Sequence, residues 1–230
     1  MKGDGGLTRT PLNKRILPRY TKGEEIFNMT SHIAGGGLGI VMATLCITFS
    51  ALGGDPWAIV SSSVYGASLV MLYTASSIYH GLRPGIAKKV FQVIDHCTIY
   101  FLIAGTYTPV LFCSVRKTSP AWGWTIFGVV WGLAAFAATM TAIDLKKYRI
   151  LSMICYIVMG WCIVFASKAA IESIPKAGLI WLLAGGVAYT IGAVLYGVGR
   201  TVKYMHSVFH LFVIAGSVFQ FVCIFFYIII

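Results

Sequence analysis

Long apolar blocks alternate along the chain with short polar joints. Seven blocks are long enough to cross about 30 Å of hydrocarbon, which takes about 20 residues of helix. We place them at Ile26–Leu52, Trp57–His80, Val90–Val115, Ala121–Ile143, Ile150–Ser167, Ala177–Val198 and Tyr204–Ile230. These blocks lack the apolar–polar alternation of a barrel strand. The pattern therefore predicts an all-α, polytopic membrane protein with seven transmembrane helices over residues 26–230, preceded by a basic tail over residues 1–25.

Composition supports a membrane protein. Apolar residues make up 58% of the chain and charged residues 11%, whereas a typical soluble domain is about half apolar and about a quarter charged. The net charge of +11 does not indicate a nucleic-acid-binding protein, because the positive charges lie in the joints between apolar blocks. We therefore expect no nucleic-acid partner.

The basic residues also predict the orientation. Most of them lie in the N-terminal tail and in the joints that share its side of the membrane, and few lie in the opposite joints. Basic joints usually stay in the cytoplasm. We expect the N-terminus inside, the C-terminus outside, and the cell membrane as the location.

Small residues and breakers mark the packing of the helices. The glycine runs at 35–39, 185–186 and 192–199 favour close helix contacts, and Pro109 is expected to kink the third helix. The six cysteines lie inside apolar blocks without a Cys-x-x-Cys pair, which indicates core residues rather than disulfides or a thiolate metal site.

All histidines of the chain fall at the predicted cytoplasmic ends of helices. Ionisable groups at membrane depth are costly and usually face the bundle interior, so they are candidates for function. They are His32, His80, His96, His206 and His210. We interpret His32 and His96 as interfacial groups or as supports for neighbouring ligands.

The sharpest chemical pattern is the pair His206 and His210. Spacing of i, i+4 places both rings on one face of a helix, where they can chelate one metal ion. His80 lies at a matching depth and is the candidate third ligand. Three histidines with an open fourth position are typical of catalytic zinc, which activates water.

Two further residues complete the candidate site. Asp95 is a candidate general base and Ser76, one turn before His80, a candidate for oxyanion stabilisation. Other interpretations stay open on spacing alone: the His pair can form interhelical hydrogen bonds, Asp95 can pair with Lys88 or Lys89, and Ser76 can bond to its own backbone. Glu24 and Glu25 are expected to cap the first helix.

These residues carry a resemblance to a known family. The chain resembles the haemolysin III family, the bacterial arm of the progestin and adipoQ receptor family, from about Glu24 to the C-terminus. The matching motifs are Glu24-Glu25 with Asn28 and His32, Ser76-Ser77-Ile78-Tyr79-His80, Asp95-His96-x-x-Ile99-Tyr100, Ala104-Gly105-Thr106-Tyr107-Thr108-Pro109, Tyr156 with Met159-Gly160-Trp161, and His206-x-x-x-His210.

The resemblance implies a zinc ion held by His80, His206 and His210, with Asp95 and Ser76 beside it. It also implies a likeness to alkaline ceramidases, and hence a hydrolase of a lipid amide or ester with a membrane lipid as substrate. Two alternatives remain: a non-enzymatic membrane sensor with structural zinc, and a pore-forming haemolysin. The chain carries little charge inside its spans to line an aqueous path, which weighs against the pore.

Overall fold

A computed structural model describes residues 9–230. Over that range the chain forms helices and no strand, and seven helices are long and apolar enough to cross a membrane. They are α1 (Lys22–Gly53), α2 (Pro56–Gly81), α3 (Ile86–Thr118), α4 (Pro120–Ile143), α5 (Arg149–Ser173), α6 (Lys176–Val198) and α7 (Met205–Ile229). The predicted fold class is confirmed.

α1 begins at Lys22, earlier than the predicted Ile26, because a capping box starts it. The Thr21 hydroxyl accepts from the Glu24 backbone N–H at 3.3 Å, and the Glu24 carboxylate accepts from the Thr21 N–H at 2.8 Å. Two free N–H groups of the first turn are thereby paired. The predicted capping role is right for Glu24.

A row of polar residues joins α1 to the start of α7. They are spaced by four residues along the buried face of α1. The contacts are Glu24 Oε1 with the Tyr204 N–H at 2.7 Å, Asn28 Oδ1 with the Ser207 hydroxyl at 2.7 Å, and the stacked rings of His32 and His210 at 3.7 Å. We call this row the α1–α7 polar seam. It fixes the first turns of α7, which carry the histidine pair.

The turn before α7 is unusually tight. Tyr204 adopts a left-handed conformation with φ of 62°, and its N–H is held by Glu24 in the seam. A Cβ atom on Gly199 would lie 2.6 Å from the His206 backbone nitrogen, so only glycine allows the chain to fold back there. This turn brings His206 directly under the end of α6.

α5 is interrupted near its middle. Its first part, Arg149–Gly160, is α-helical, and residues Cys162–Ala166 form a 3-10 helix before the α-helix resumes. Tyr107 of α3 fills the break: its hydroxyl donates to the Gly160 carbonyl at 2.9 Å and accepts from the Ile163 N–H at 3.1 Å. The break turns Trp161 toward the bundle interior, where its Nε1 donates to Thr190 at 3.1 Å.

α3 is the most buried helix and changes its winding near the far end. Pro109 lies inside it, and the following residues Leu111–Val115 form a π-helix. Proline supplies no N–H to the preceding turn, which accounts for irregular winding at this point.

All six cysteines are free, and all except the half-buried Cys97 are buried.

Residues 9–21 run across one end of the bundle. The loops after α2, α4 and α6 lie at the same end and are rich in Lys and Arg, so we call it the basic end. The predicted basic tail also includes residues 1–8, which lie outside the described residues. Arg15 donates to the Ile143 carbonyl at 2.8 Å, and Lys89 donates to the Asn13 carbonyl at 2.8 Å. The segment is therefore attached to the last residue of α4 and to the first turn of α3.

Asp144 anchors the same segment. Its carboxylate accepts from the Thr10 N–H at 3.1 Å and from the N–H groups of Lys146 and Lys147 at 3.1 and 3.0 Å. Burial alone would raise the pKa of Asp144, but these hydrogen bonds favour the carboxylate and lower the pKa from 3.8 to about 2.

Replacing Tyr107 by Phe should destabilise the break in α5. The change leaves the half-buried Gly160 carbonyl and Ile163 N–H without their partner, which costs about 1–3 kcal/mol. Thermal unfolding of the purified protein measures the effect. Tyr227→Phe is the control, because the Tyr227 hydroxyl has no hydrogen-bond partner within residues 9–230; equal stability of the two variants would contradict the assigned role.

Replacing Asp144 by Asn should loosen residues 9–21. Because the folded pKa lies below the usual value, the carboxylate contributes stability above pH 3.8 and loses it as the pH falls toward about 2. The variant removes that contribution at neutral pH. Hydrogen–deuterium exchange should be faster in residues 9–21 of this variant and unchanged in Asp55→Asn; unchanged exchange in both would refute the anchor.

Candidate metal centre

Three histidines from two helices meet at the basic end. His80 ends α2, while His206 and His210 lie on the first turns of α7, and only 3%, 6% and 1% of their surfaces are exposed. Each offers a ring nitrogen within 4.8 Å of the others. The three ligands that were predicted from the spacing of the α7 pair and the depth of His80 therefore lie close together in the structure.

The donor set fits a zinc ion. The Nε2 atoms of His206 and His210 lie 3.2 Å apart, and two nitrogens at about 2.05 Å in tetrahedral coordination would be roughly 3.3 Å apart. The His80 ring centroid lies 5.4 and 4.9 Å from those of His206 and His210. The buried His80 Nε2 has no hydrogen-bond partner within residues 9–230, as expected of a nitrogen that binds a metal.

Glu25 and Lys88 form an ion pair behind His80. Glu25 Oε2 lies 2.7 Å from His80 Nδ1, and Glu25 Oε1 lies 2.8 Å from Lys88 Nζ. Glu25 lies in the first turn of α1, where its charge interacts favourably with the helix dipole as predicted, but the capping hydrogen bonds are made by Glu24 alone. The alternative in which Asp95 pairs with Lys88 or Lys89 is wrong, because Lys88 binds Glu25 and Lys89 binds a backbone carbonyl.

His32 lies beside the three histidines without joining them. It is 3% exposed, so it is not an interfacial residue. Its ring stacks on that of His210 at 3.7 Å with an angle of 21° between the planes. Since ring nitrogens bind in the plane of the ring, two nearly parallel rings cannot easily direct lone pairs to one ion. Both His32 nitrogens are buried and unpaired within residues 9–230.

His96 is held by two hydrogen bonds. Its Nδ1 lies 2.8 Å from the Gln92 carbonyl, which can only accept, so Nδ1 carries the hydrogen. Its Nε2 then accepts from the Tyr196 hydroxyl at 3.0 Å. With both nitrogens engaged, His96 is a support on the wall of the site rather than a ligand.

Asp95 and Ser76 line the same cavity as His206 and His210. Asp95 is the residue before His96, and its Oδ2 lies 3.7 Å from His96 Nδ1, beyond hydrogen-bond distance. Within residues 9–230 its carboxylate accepts no hydrogen bond, so it is available to a ligand. Ser76 is buried one turn before His80; it is its neighbour Ser77 that donates its hydroxyl to the α2 backbone.

Tyr20, in the segment over the basic end, covers the histidines. Its ring stacks on that of His206 at 4.9 Å and lies 5.7 Å from that of His80. Burial raises the pKa of the Tyr20 hydroxyl, and the nearby acidic groups, Tyr196 foremost, raise it further. The neutral phenol therefore closes the site toward the basic end.

The cavity extends from the histidines into the bundle. His206 and Gln220 both line it, and 14 residues of helix separate them, or about 21 Å at 1.5 Å per residue. Its walls between these ends are mainly apolar. They include Leu72, Ile99, Leu102, Ile103, Val110 and Val213. The cavity is therefore a long apolar channel with a polar, metal-competent end, and we call it the channel.

The wall of the channel is thin between α5 and α6. Ile157 of α5 and Leu183 of α6 both line the channel, and 37% and 49% of their surfaces are exposed. We infer that these side chains form a wall one side chain thick between the channel and the surrounding medium. At the depth of α5 and α6 that medium is lipid.

Sequence reasoning missed Tyr20 and Tyr196 around the centre, and it named Glu25 only at the start of the first helix without its contact to His80. The signal for that contact was a second carboxylate beside Glu24, which needs a partner of its own when the helix is apolar. Tyr20 and Tyr196 carried none, because one lies in the predicted tail and the other in an apolar block that ends near the membrane surface.

Comparisons with known proteins agree with this architecture. The family model described as "Haemolysin-III related" matches residues 20–221. Hemolysin-3 of Bacillus cereus is 36% identical over 205 residues, which cover 89% of this chain and 92% of that protein. The Hemolysin-3 homolog of Bacillus subtilis (strain 168) is 36% identical over 208 residues, covering 90% and 96%.

A human protein is also similar. Monocyte to macrophage differentiation factor of Homo sapiens is 26% identical over 217 residues, which cover 91% of this chain and 85% of that protein. The family model spans most of the chain, and the bacterial relatives match it over nearly their whole length. With its seven transmembrane helices, the chain is a multi-pass membrane protein that belongs to the haemolysin III family, the bacterial arm of the progestin and adipoQ receptor family.

Proposed function

We propose that this protein is a zinc-dependent hydrolase that cleaves a lipid amide or ester inside the cell membrane. One observation carries the proposal: three buried histidines with converging nitrogens stand at the end of an apolar channel that also presents a free carboxylate. The channel suits a hydrocarbon tail, and the polar end suits the bond to be cut.

The residues of the site would divide the chemistry among them. His80, His206 and His210 would hold the metal, which as a Lewis acid lowers the pKa of water to near 7. Asp95 would accept the proton of the attacking water as general base. The Ser76 hydroxyl would donate to the oxygen of the scissile carbonyl as negative charge develops on it.

The walls of the channel would orient the substrate. Apolar residues along about 21 Å accommodate the tail and exclude water, while Tyr20 closes the opposite side. Exclusion of water strengthens each electrostatic interaction at the reacting end. His96, fixed by Gln92 and Tyr196, supports the backbone position of Asp95.

A second candidate is a non-enzymatic membrane sensor that uses zinc as a structural tie between α2 and α7. The observation in its favour is the cover formed by Tyr20 over His206, because a closed site retains a metal. A pore-forming haemolysin, suggested by the names of the bacterial relatives, is less well supported because the channel lining is mainly apolar and offers no aqueous path.

His210→Ala should abolish both metal binding and hydrolysis, because two nitrogens from separate helices hold a metal far more weakly than three. Purified wild type should contain about one zinc per chain by elemental analysis and should release fatty acid from an N-acyl lipid such as ceramide. Size-exclusion chromatography checks that the variant is folded. Metal-independent hydrolysis in the variant would refute the proposal.

Asp95→Asn should separate the two candidates. Loss of a general base lowers kcat by about 10²- to 10⁴-fold, while zinc content stays at the wild-type level because Asp95 is not a ligand. Glu172→Gln is the control, because Glu172 lies in the last turn of α5, at the end of the bundle opposite the basic end. Zinc-loaded wild type without activity on amide and ester lipids would favour the structural role.

A further inference from the structure

Glu25 makes two ionic contacts at once. From the first turn of α1 its carboxylate reaches His80 Nδ1 at 2.7 Å with one oxygen and Lys88 Nζ at 2.8 Å with the other. These residues belong to α2 and α3, so three helices meet at one carboxylate. The contacts use both oxygens of the carboxylate.

The contact defines the hydrogen position on His80. A carboxylate only accepts hydrogen bonds, so Nδ1 must carry the hydrogen and Nε2 must carry the lone pair. Nε2 is buried, has no partner within residues 9–230, and is the nitrogen left to join the group of three. Without a fixed acceptor at Nδ1, the ring could take the other tautomer and present an N–H to the metal.

Lys88 is the counter-ion of the half-buried Glu25 carboxylate, whose side chain is 21% exposed. Lys88 itself is 3% exposed, and besides Glu25 its ammonium contacts the Leu82 carbonyl at 3.1 Å and the ring of Tyr79 at 5.0 Å. A buried charge without a counter-ion is strongly unfavourable, so each group stabilises the charge of the other. The pair keeps Glu25 ionised, and an ionised acceptor makes the opposite ring nitrogen of His80 a stronger donor to a metal.

We propose that Glu25 is a positioning residue for the metal centre: it fixes the tautomer and ring orientation of His80 and strengthens its bond to zinc, with Lys88 as its counter-ion. The proposal rests on the metal-binding part of the proposed function and is independent of hydrolysis. It distinguishes Glu25 from the adjacent Glu24, whose partners are Thr21 and Tyr204.

Metal binding alone tests the proposal. Zn²⁺ and Co²⁺ affinities are measured for wild type and Glu25→Gln by competition with a chelator, without any lipid substrate. The affinity of the variant should fall about 10- to 100-fold, and the absorption spectrum of bound Co²⁺ should change because one ligand is altered. Asp55→Asn, the same chemical change at the opposite end of α2, should bind both metals like wild type.

A double variant separates positioning from charge balance. Glu25→Gln with Lys88→Met removes both charges, so no unpaired cation remains near the metal. If the loss of metal affinity comes from the missing hydrogen bond to His80, the double variant binds zinc as weakly as Glu25→Gln. Recovery of wild-type affinity in the double variant would overturn the proposal. Glu25→Asp, which keeps the carboxylate, should recover part of the affinity.

Stability measurements exclude a purely structural effect. Thermal unfolding is followed with chelator and with excess Zn²⁺, and the shift caused by zinc is compared between variants. Glu25→Gln should reduce the zinc-induced shift, beyond any loss in the metal-free protein. An equal loss in both conditions, or a wild-type protein that binds neither metal, would overturn the proposal, whereas zinc binding without hydrolysis would overturn only the enzymatic function.

Discussion

Polar groups placed in hydrocarbon are favourable only when they face the inside of the bundle. In this protein that requirement determines how α1 packs against α7 along the α1–α7 polar seam. Glu24, Asn28 and His32 would be costly on a helix that faced lipid. Against α7, Glu24 accepts from a backbone N–H and Asn28 from a hydroxyl, while the His32 ring stacks on that of His210. The first turns of α7 therefore have one favourable position, and the histidine pair is delivered to it.

The sequence predicted the helices and the common depth of the histidines because both depend on distances along one axis. Block length determines how often the chain crosses, and the position of His80 within its block determines its depth. The fold class could therefore be predicted before any coordinates. Equal depth made His80 only a candidate partner of the α7 pair, because depth does not show which helices face each other, and the full group of three was implied by the family resemblance.

Contacts between helices could not be predicted in the same way. Lys88 lies close to Asp95 along the chain, and only the arrangement of α1, α2 and α3 shows that it faces Glu25 instead. The break in α5 is equally hidden, since Gly160 and Trp161 read as part of an apolar block. It exists because Tyr107, far away in sequence, supplies the hydrogen bonds that the helix gives up.

The thin wall formed by Ile157 and Leu183 determines which ligand concentration controls occupancy of the channel. A molecule that enters between α5 and α6 partitions into the bilayer first, so its occupancy of the channel follows its mole fraction among the lipids and not its concentration in water. Added detergent or inert phospholipid would then lower occupancy by surface dilution, even with the total amount of ligand held constant.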